Sequence, residues 1–257
     1  VIGVKFGSYN LQDPANGVWV TDTDVYSSPT NAIQTDSLAE SDGGLVVKQR
    51  YQSKTFKVEG LIRADTIAEL ETMLDQFKAA MASKNQAFDI DYAGGIRRYL
   101  ANAQNVILTK GRRVTSAAFS VEFQSPDGVG WSLDSTALIA SEGVTGSVVT
   151  VPVTAEGSYQ VDPLITATFN TISGGTAKTV TISNDVTLRG LSVTRNWATG
   201  DVLEIDCLNK TVFVNDLAAE FSGQFPKWEP GAGALGYVDN LTSRDMTLRA
   251  SYTRRWL

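Results

Sequence analysis

A capped helix with a single apolar stripe, set between alternating strands, constrains this chain more than any other feature. Thr66-Ile67-Ala68-Glu69 has capping-box spacing: the Thr66 hydroxyl can accept from the Glu69 amide while the Glu69 carboxylate reaches back. Ile67, Leu70, Leu74, Phe77 and Met81 follow at steps of three and four, an apolar stripe about four turns long. Ahead of the helix, residues 55–62 place Phe56, Val58 and Ile62 on one side of a period-two pattern. Behind it, residues 96–109 and 114–124 read as two strands joined by Lys110-Gly111-Arg112-Arg113, with Phe119, Val121 and Phe123 alternating in the second. One stripe and one apolar face per strand suit a helix laid over an antiparallel sheet. The stretch from Lys54 to Asp127 has no catalytic pattern and reads as scaffold.

The flanking segments extend this block. Residues 45–52 form a strand leading into it, and residues 87–92 alternate before Ala93-Gly94-Gly95, where the glycine pair suits a tight hairpin. Asp89 and Asp91 share one face of that strand and read as solvent-facing. Residues 1 to 44 are poor in regular pattern. Val18-Trp19-Val20 is an apolar island, either an edge strand or an arm anchored on a neighbour, and residues 36–44 read as a flexible acidic loop. Neither Asp22-Thr23-Asp24 nor residues 36–42 carries the alternating ligand set with a distal Glu that a calcium loop needs, so these carboxylates read as a solvated face.

The character changes at Ser125-Pro126-Asp127-Gly128, a strong turn. Residues 129–160 are rich in Gly, Ser, Thr and Val, with a strand at 148–151. Residues 165–169, 179–182, 187–194, 202–207, 210–214 and 246–252 are strand-like and separated by turns such as Ser183-Asn184-Asp185 and Thr199-Gly200-Asp201. Short strands at this spacing indicate a β-sandwich. The expected fold is an α+β N-terminal domain over residues 1–128, antiparallel sheets with one covering helix, followed by an all-β sandwich over 129–257.

Totals narrow the function. Among 257 residues there is no histidine, which removes the commonest general base and metal ligand, and the net charge of −6 argues against a surface built to neutralise phosphates. Cys207, the single cysteine, reads as a buried structural thiol. No apolar run approaches the length needed to span a bilayer, and Val1-Ile2-Gly3-Val4-Lys5-Phe6 lacks the look of a signal peptide, so no membrane insertion is expected. Asp201, Glu204 and Asp206 are the most concentrated acids of the second half, but acids two residues apart on an antiparallel strand usually face water. With no nucleophile, phosphate-loop or metal motif, neither enzyme activity nor a cofactor or metal is expected. Trp197 and Trp228 lie in loop-like segments and are the candidate aromatics for stacking a sugar or meeting a partner.

Several runs together resemble the distal tail protein family of long-tailed siphophages. Phe56-Lys57-Val58-Glu59-Gly60-Leu61-Ile62 with the helix over 67–81 resembles the family's strand-Gly-strand-helix block. Asp91-Tyr92-Ala93-Gly94-Gly95-Ile96-Arg97-Arg98-Tyr99 resembles the strand after it, and Phe119-Ser120-Val121-Glu122-Phe123-Gln124-Ser125-Pro126-Asp127 the exit from the first domain. Gly200-Asp201-Val202-Leu203-Glu204-Ile205-Asp206 and Phe221-Ser222-Gly223-Gln224-Phe225-Pro226-Lys227-Trp228-Glu229-Pro230-Gly231 resemble the C-terminal signature. The family usually has Asn near that Pro-Gly; Pro230-Gly231-Ala232-Gly233-Ala234 departs from it in what reads as a loop.

The resemblance implies a structural virion protein at the tail tip, made in the host cytoplasm. Its N-terminal domain would close into a hexameric ring between the tail tube protein and the hub or tail-tip protein. A galectin-like or carbohydrate-module-like sandwich would project outward as a platform for a receptor-binding protein. The channel would pass the tape measure protein and then DNA in transit. The alternative is a peripheral baseplate protein or a carbohydrate-binding adhesion module. In a ring, Asp22, Asp24, Asp36, Glu40 and Asp42 are candidates for the channel or for subunit contacts, and Lys48, Arg50, Arg97, Arg98, Arg112 and Arg113 for the basic side of those contacts.

Overall fold

The computed structural model describes residues 3–37, 42, 44–111 and 113–257. The chain divides into two compact units, Val1–Leu133 with Leu257, and Asp134–Trp256.

The first unit contains β1 (Val4–Phe6), β2 (Tyr9–Asn10), β3 (Val18–Thr23), β4 (Asn31–Ser37), β5 (Gly44–Tyr51), β6 (Lys54–Arg63), α1 (Ile67–Met81), β7 (Gln86–Tyr92), β8 (Gly95–Lys110), β9 (Ser116–Ser125) and the start of β10 (Gly130–Val144). The long strand β8 serves two antiparallel arrays. Gly95–Ala101 pairs with β7, which continues to β1 and β2; Asn102–Lys110 pairs with β9, which continues to β6 and β3. The ladder between β8 and β9 shifts register between Gln104 and Ile107, where Asn105 has φ 51°. Asparagine tolerates this left-handed conformation, and a bulge bends the strand.

Alternation buries Phe56, Val58 and Ile62 of β6 and Phe119, Val121 and Phe123 of β9 in one aromatic core. Ring centroids of Phe88 and Phe123 are 4.6 Å apart, those of Phe6 and Phe123 4.9 Å, and those of Phe56 and Tyr99 4.7 Å. Helix α1 has the expected bounds and covers this core with Leu70, Phe77 and Met81. Ile67, the first stripe residue, is left 49% exposed. Thr66 Oγ1 accepts from Glu69 N at 3.2 Å, but the returning arm lands one residue early: Glu69 Oε2 accepts from Asp65 N at 3.1 Å. The β7–β8 hairpin turns on Ala93-Gly94 rather than on the glycine pair, and Gly95, with φ 117°, is its first paired residue.

The apolar island at Val18-Trp19-Val20 is an edge strand: among the described residues, β6 is the one strand that β3 pairs with, besides a single bridge from Val18 to Asp13. The segment read as an acidic loop begins inside a strand. Asp36 and Ser37 end β4, which pairs with β5 in a separate two-stranded ribbon. Leu38, Ala39, Glu40, Ser41 and Gly43 lie outside the described residues.

The second unit is all β: the rest of β10, then β11 (Val148–Ala155), β12 (Leu164–Ser173), β13 (Lys178–Asn184), β14 (Arg189–Arg195), β15 (Val202–Asp206), β16 (Thr211–Val214), β17 (Leu217–Ala218), β18 (Ser222–Gly223), β19 (Gly231–Asp239) and β20 (Ser243–Trp256). One sheet runs β17-β16-β15-β12-β20-β10 and the other β11-β19-β13-β14-β18. Their inward side chains form one core that includes Phe169, Ile182, Val193, Ile205, Tyr237 and Leu248. The antiparallel, mostly β architecture agrees with expectation.

The two longest strands that escaped the sequence reading in this half are β10 and β19. In β10, burial follows no steady alternation. In β19, Gly231-Ala232-Gly233-Ala234 offers little side-chain signal, yet each residue is in register with β11, from Gly231↔Ala155 to Ala234↔Pro152. The Pro230-Gly231-Ala232-Gly233-Ala234 departure therefore falls mostly in a strand, not a loop. Gly233 sits against the Trp228 indole, where a Cβ would approach its Cδ1 to 3.1 Å.

Candidate functional site

The β4–β5 ribbon is the most unusual surface of the first unit. Its residues are exposed along most of both strands, including Ile33 (56%), Leu45 (60%), Val46 (54%) and Val47 (53%). A register shift between Gln34 and Thr35 leaves Val47 as the extra residue of β5. Residues directly opposite in an antiparallel pair share a face. Ala32 with Arg50 and Gln34 with Lys48 therefore make one side basic, while Ile33 and Gln49 point the other way. Lys48 and Arg50 thus share a ribbon with Asp36.

The remaining candidate residues are dispersed. Asp22 Oδ1 accepts from Thr23 N at 2.9 Å and Asp24 Oδ1 from Lys57 N at 2.7 Å; both residues are otherwise exposed. Asp42 and Arg113 are exposed, whereas Glu40 and Arg112 lie outside the described residues. Arg97 lies over the Tyr92 ring, 3.9 Å from its centroid. The Arg98 guanidinium is engaged by Asp89 through two hydrogen bonds of 2.7 Å, which raise its pKa. Asp89 is correspondingly part of this pair and not simply solvent-facing.

Lys54 carried no sequence signal. It is 3% exposed, with Nζ 4.4 Å from the Phe56 centroid and 5.5 Å from that of Tyr99. Burial pulls its pKa down to about 8, with Asp24 opposing the shift and Arg97 adding to it. The same burial pushes Tyr99 up to about 12. On another face, a groove of about 660 Å³ separates the turn at Pro14–Asn16 from the first half of α1, lined in part by Asp13, Trp19, Asp65, Glu69 and Met73.

In the second unit, the two tryptophans offered as sugar- or partner-facing are core residues. Trp197 is 5% exposed, donates Nε1 to the Lys178 carbonyl at 3.0 Å and packs 4.8 Å from Phe169; Trp228 is 1% exposed. A sandwich core recruits large side chains from its loops as readily as from its strands, and sequence periodicity cannot report this.

The acids of this unit organise turns. Asp201 accepts from Ala198 N at 2.9 Å and Asn215 Nδ2 at 2.8 Å, and Asp206 accepts from the amides of Leu208 and Asn209. Asp239 accepts from the Tyr237 hydroxyl at 2.5 Å and from Arg244 at 2.8 Å. Burial, then Asp239, raises the Tyr237 pKa. The Asp162 carboxylate, 5% exposed, lies 3.2 Å from Arg255, 3.3 Å from Lys227 and 3.7 Å from Lys210. Among the described residues, no group of three or more His, Cys, Asp or Glu side chains is placed to hold a metal, and no helix is long and apolar enough to cross a membrane.

In this two-unit, mostly β protein the acids of the second unit fasten turns and the β4–β5 ribbon of the first stands exposed. Comparison with known proteins finds its likenesses among phage tail components. Residues 156–256 match the family described as siphovirus-type tail component, C-terminal domain. The whole chain is similar to the SPP1 Dit (gp 19.1) protein, whose crystal structure is described as a paradigm of hub adsorption apparatus in Gram-positive infecting phages. That likeness has a TM-score of 0.71 at 13% identity and covers 100% of both chains. A chain of the phage p2 baseplate in its activated conformation with Sr is matched at a TM-score of 0.48 and 9% identity, over 99% of this chain and 98% of that one. No curated protein matches. The C-terminal unit thus resembles the siphovirus-type tail component, and the chain as a whole has a fold of the Dit type.

Proposed function

We propose that this chain is the distal tail protein of a siphophage, closing into a hexameric ring that joins the tail tube protein to the hub or tail-tip protein. Residues 1–128 are the ring-forming domain in this reading. Residues 129–257, a sandwich of the galectin-like kind, project outward as a platform for a receptor-binding protein. The ring's channel passes the tape measure protein and then DNA, and assembly takes place in the host cytoplasm. Its role is structural rather than enzymatic.

The observation that carries this reading is the β4–β5 ribbon. A two-stranded ribbon with water on both faces is at best marginally stable, and Ile33, Leu45, Val46 and Val47 are exposed on it. A ring supplies what a monomer lacks. Each subunit presents two different surfaces that meet in rotation, so every ribbon is covered by a neighbour. Asp22 and Asp24 are assigned to the channel side, where negative charge keeps DNA from adhering during passage. Because Trp197 and Trp228 are buried, no observation favours the carbohydrate-binding alternative.

Electron microscopy of the chain assembled with its tail partners tests the proposal. A six-fold annulus with a central hole is expected. A chain found outside any closed collar around the tail axis would overturn the ring, and basic side chains around the bore would overturn the channel assignment.

A further inference from the structure

The ribbon's basic face has a counterpart elsewhere on the same unit. The groove between the Pro14–Asn16 turn and α1 is lined by the carboxylates of Asp13, Asp65 and Glu69, with Trp19 and Met73 supplying apolar wall. Ile67, the stripe residue left 49% exposed, opens α1 between Asp65, which precedes the Thr66 cap, and Glu69 in the first turn. We infer that this groove is the seat of the β4–β5 ribbon of a second copy, with Lys48 and Arg50 facing Asp65 and Glu69.

The inference rests on the ring reading and identifies which two surfaces meet. Among the described residues the ribbon strands pair with each other alone, which leaves the ribbon available to a second copy. The charges oppose: Lys48 and Arg50 share one ribbon face and are exposed, as are Asp65 and Glu69 on the groove. Arg63, which also lines the groove, provides a partner of opposite sign for Asp36 on the ribbon. The apolar content also matches: Leu45, opposite Asp36 on the same ribbon face as Lys48 and Arg50, is 60% exposed and needs cover, which Trp19, Met73 and Ile67 are able to give. The contact joins two different patches, the head-to-tail type that generates rings. Opposed charges fix its register more than they add affinity.

Disulfide trapping tests this contact directly. Chains carrying Lys48→Cys are mixed with chains carrying Asp65→Cys and oxidised; native Cys207 is fully buried and does not interfere. A mixed dimer that needs both variants is expected. In parallel, Lys48→Glu should weaken association roughly tenfold, and Asp65→Lys on the partner should restore it. Both positions are exposed, and unchanged melting of each variant checks that its fold is intact. Absence of the mixed disulfide, or equal cross-linking of Lys48→Cys chains with one another, overturns the pairing. A ring seen by microscopy without the cross-link would leave the proposed function standing and remove this contact. The cross-link in the absence of any closed ring would do the reverse.

Discussion

Arg98 grips Asp89 across the β7–β8 hairpin, Nε to Oδ1 and Nη2 to Oδ2, at 2.7 Å each. The two residues are opposite in register, so strand pairing itself aims the guanidinium fork at the carboxylate. The side chains are 34% and 15% exposed, which leaves partial screening by solvent. Arg98→Ala and Asp89→Ala are each expected to cost about 1 kcal/mol, with a coupling energy of about 0.5–1 kcal/mol in a double-mutant cycle. Urea unfolding of the four proteins measures it, and a coupling near zero would show that the pair contributes only geometry.

Gly60 controls how the edge strand docks. It lies opposite both Val20 and Phe119, and a Cβ there would overlap the Trp19 carbonyl and the Phe119 ring. Gly60→Ala should destabilise the first unit by about 3 kcal/mol or more, since neither backbone nor core ring can yield cheaply. Limited proteolysis should then cut near Val18–Thr23 before any other part of the unit. A variant as stable as the parent would mean that β3 can shift without cost.

Lys54 should give the protein an unusual alkaline stability profile. Its folded pKa is about 8 against 10.5 in the unfolded chain, so between those values the unfolded state binds more protons and stability rises with pH. Below pH 8 both states are protonated and the cost of the buried charge is constant. Tyr99, pushed up to about 12, acts with the opposite sign above pH 10, so the informative window is pH 8 to 10. Across it, stability should rise by on the order of 2 kcal/mol relative to Lys54→Met. Parallel profiles for the two proteins would show that Lys54 does not lose its proton in the folded state.

Cys207 should be inert until the sandwich opens. It is fully buried, and burial pushes its thiol pKa up to about 12, so almost no thiolate exists near neutrality. A chromogenic disulfide reagent at pH 8 should label nothing in the native protein and one thiol per chain in guanidinium. Rapid native labelling would place Cys207 at an accessible surface.

Much of the scaffold was legible because its signals are local. The stripe from Leu70 to Met81 and the Thr66 cap defined α1, and alternation in β6 and β9 identified the core faces. The weak points were backbone-driven. Gly231-Ala232-Gly233-Ala234 forms a strand through hydrogen bonds to β11, a preference that small side chains do not announce. Lys54 was invisible because its burial depends on Phe56 and Tyr99 closing over it from two strands.

The sequence by itself determined the helix, the alternation of its flanking strands, the second β-rich half and the runs shared with siphophage tail components, because periods, caps and turns are written within a few residues. Tertiary structure alone decided that Trp197 and Trp228 are core, that Arg98 is held by Asp89, and that β4 and β5 stand as a ribbon exposed on both faces. Those outcomes depend on which distant segments pack together. A residue's surroundings are a sum over the whole fold, while its propensity belongs to its neighbours in the chain.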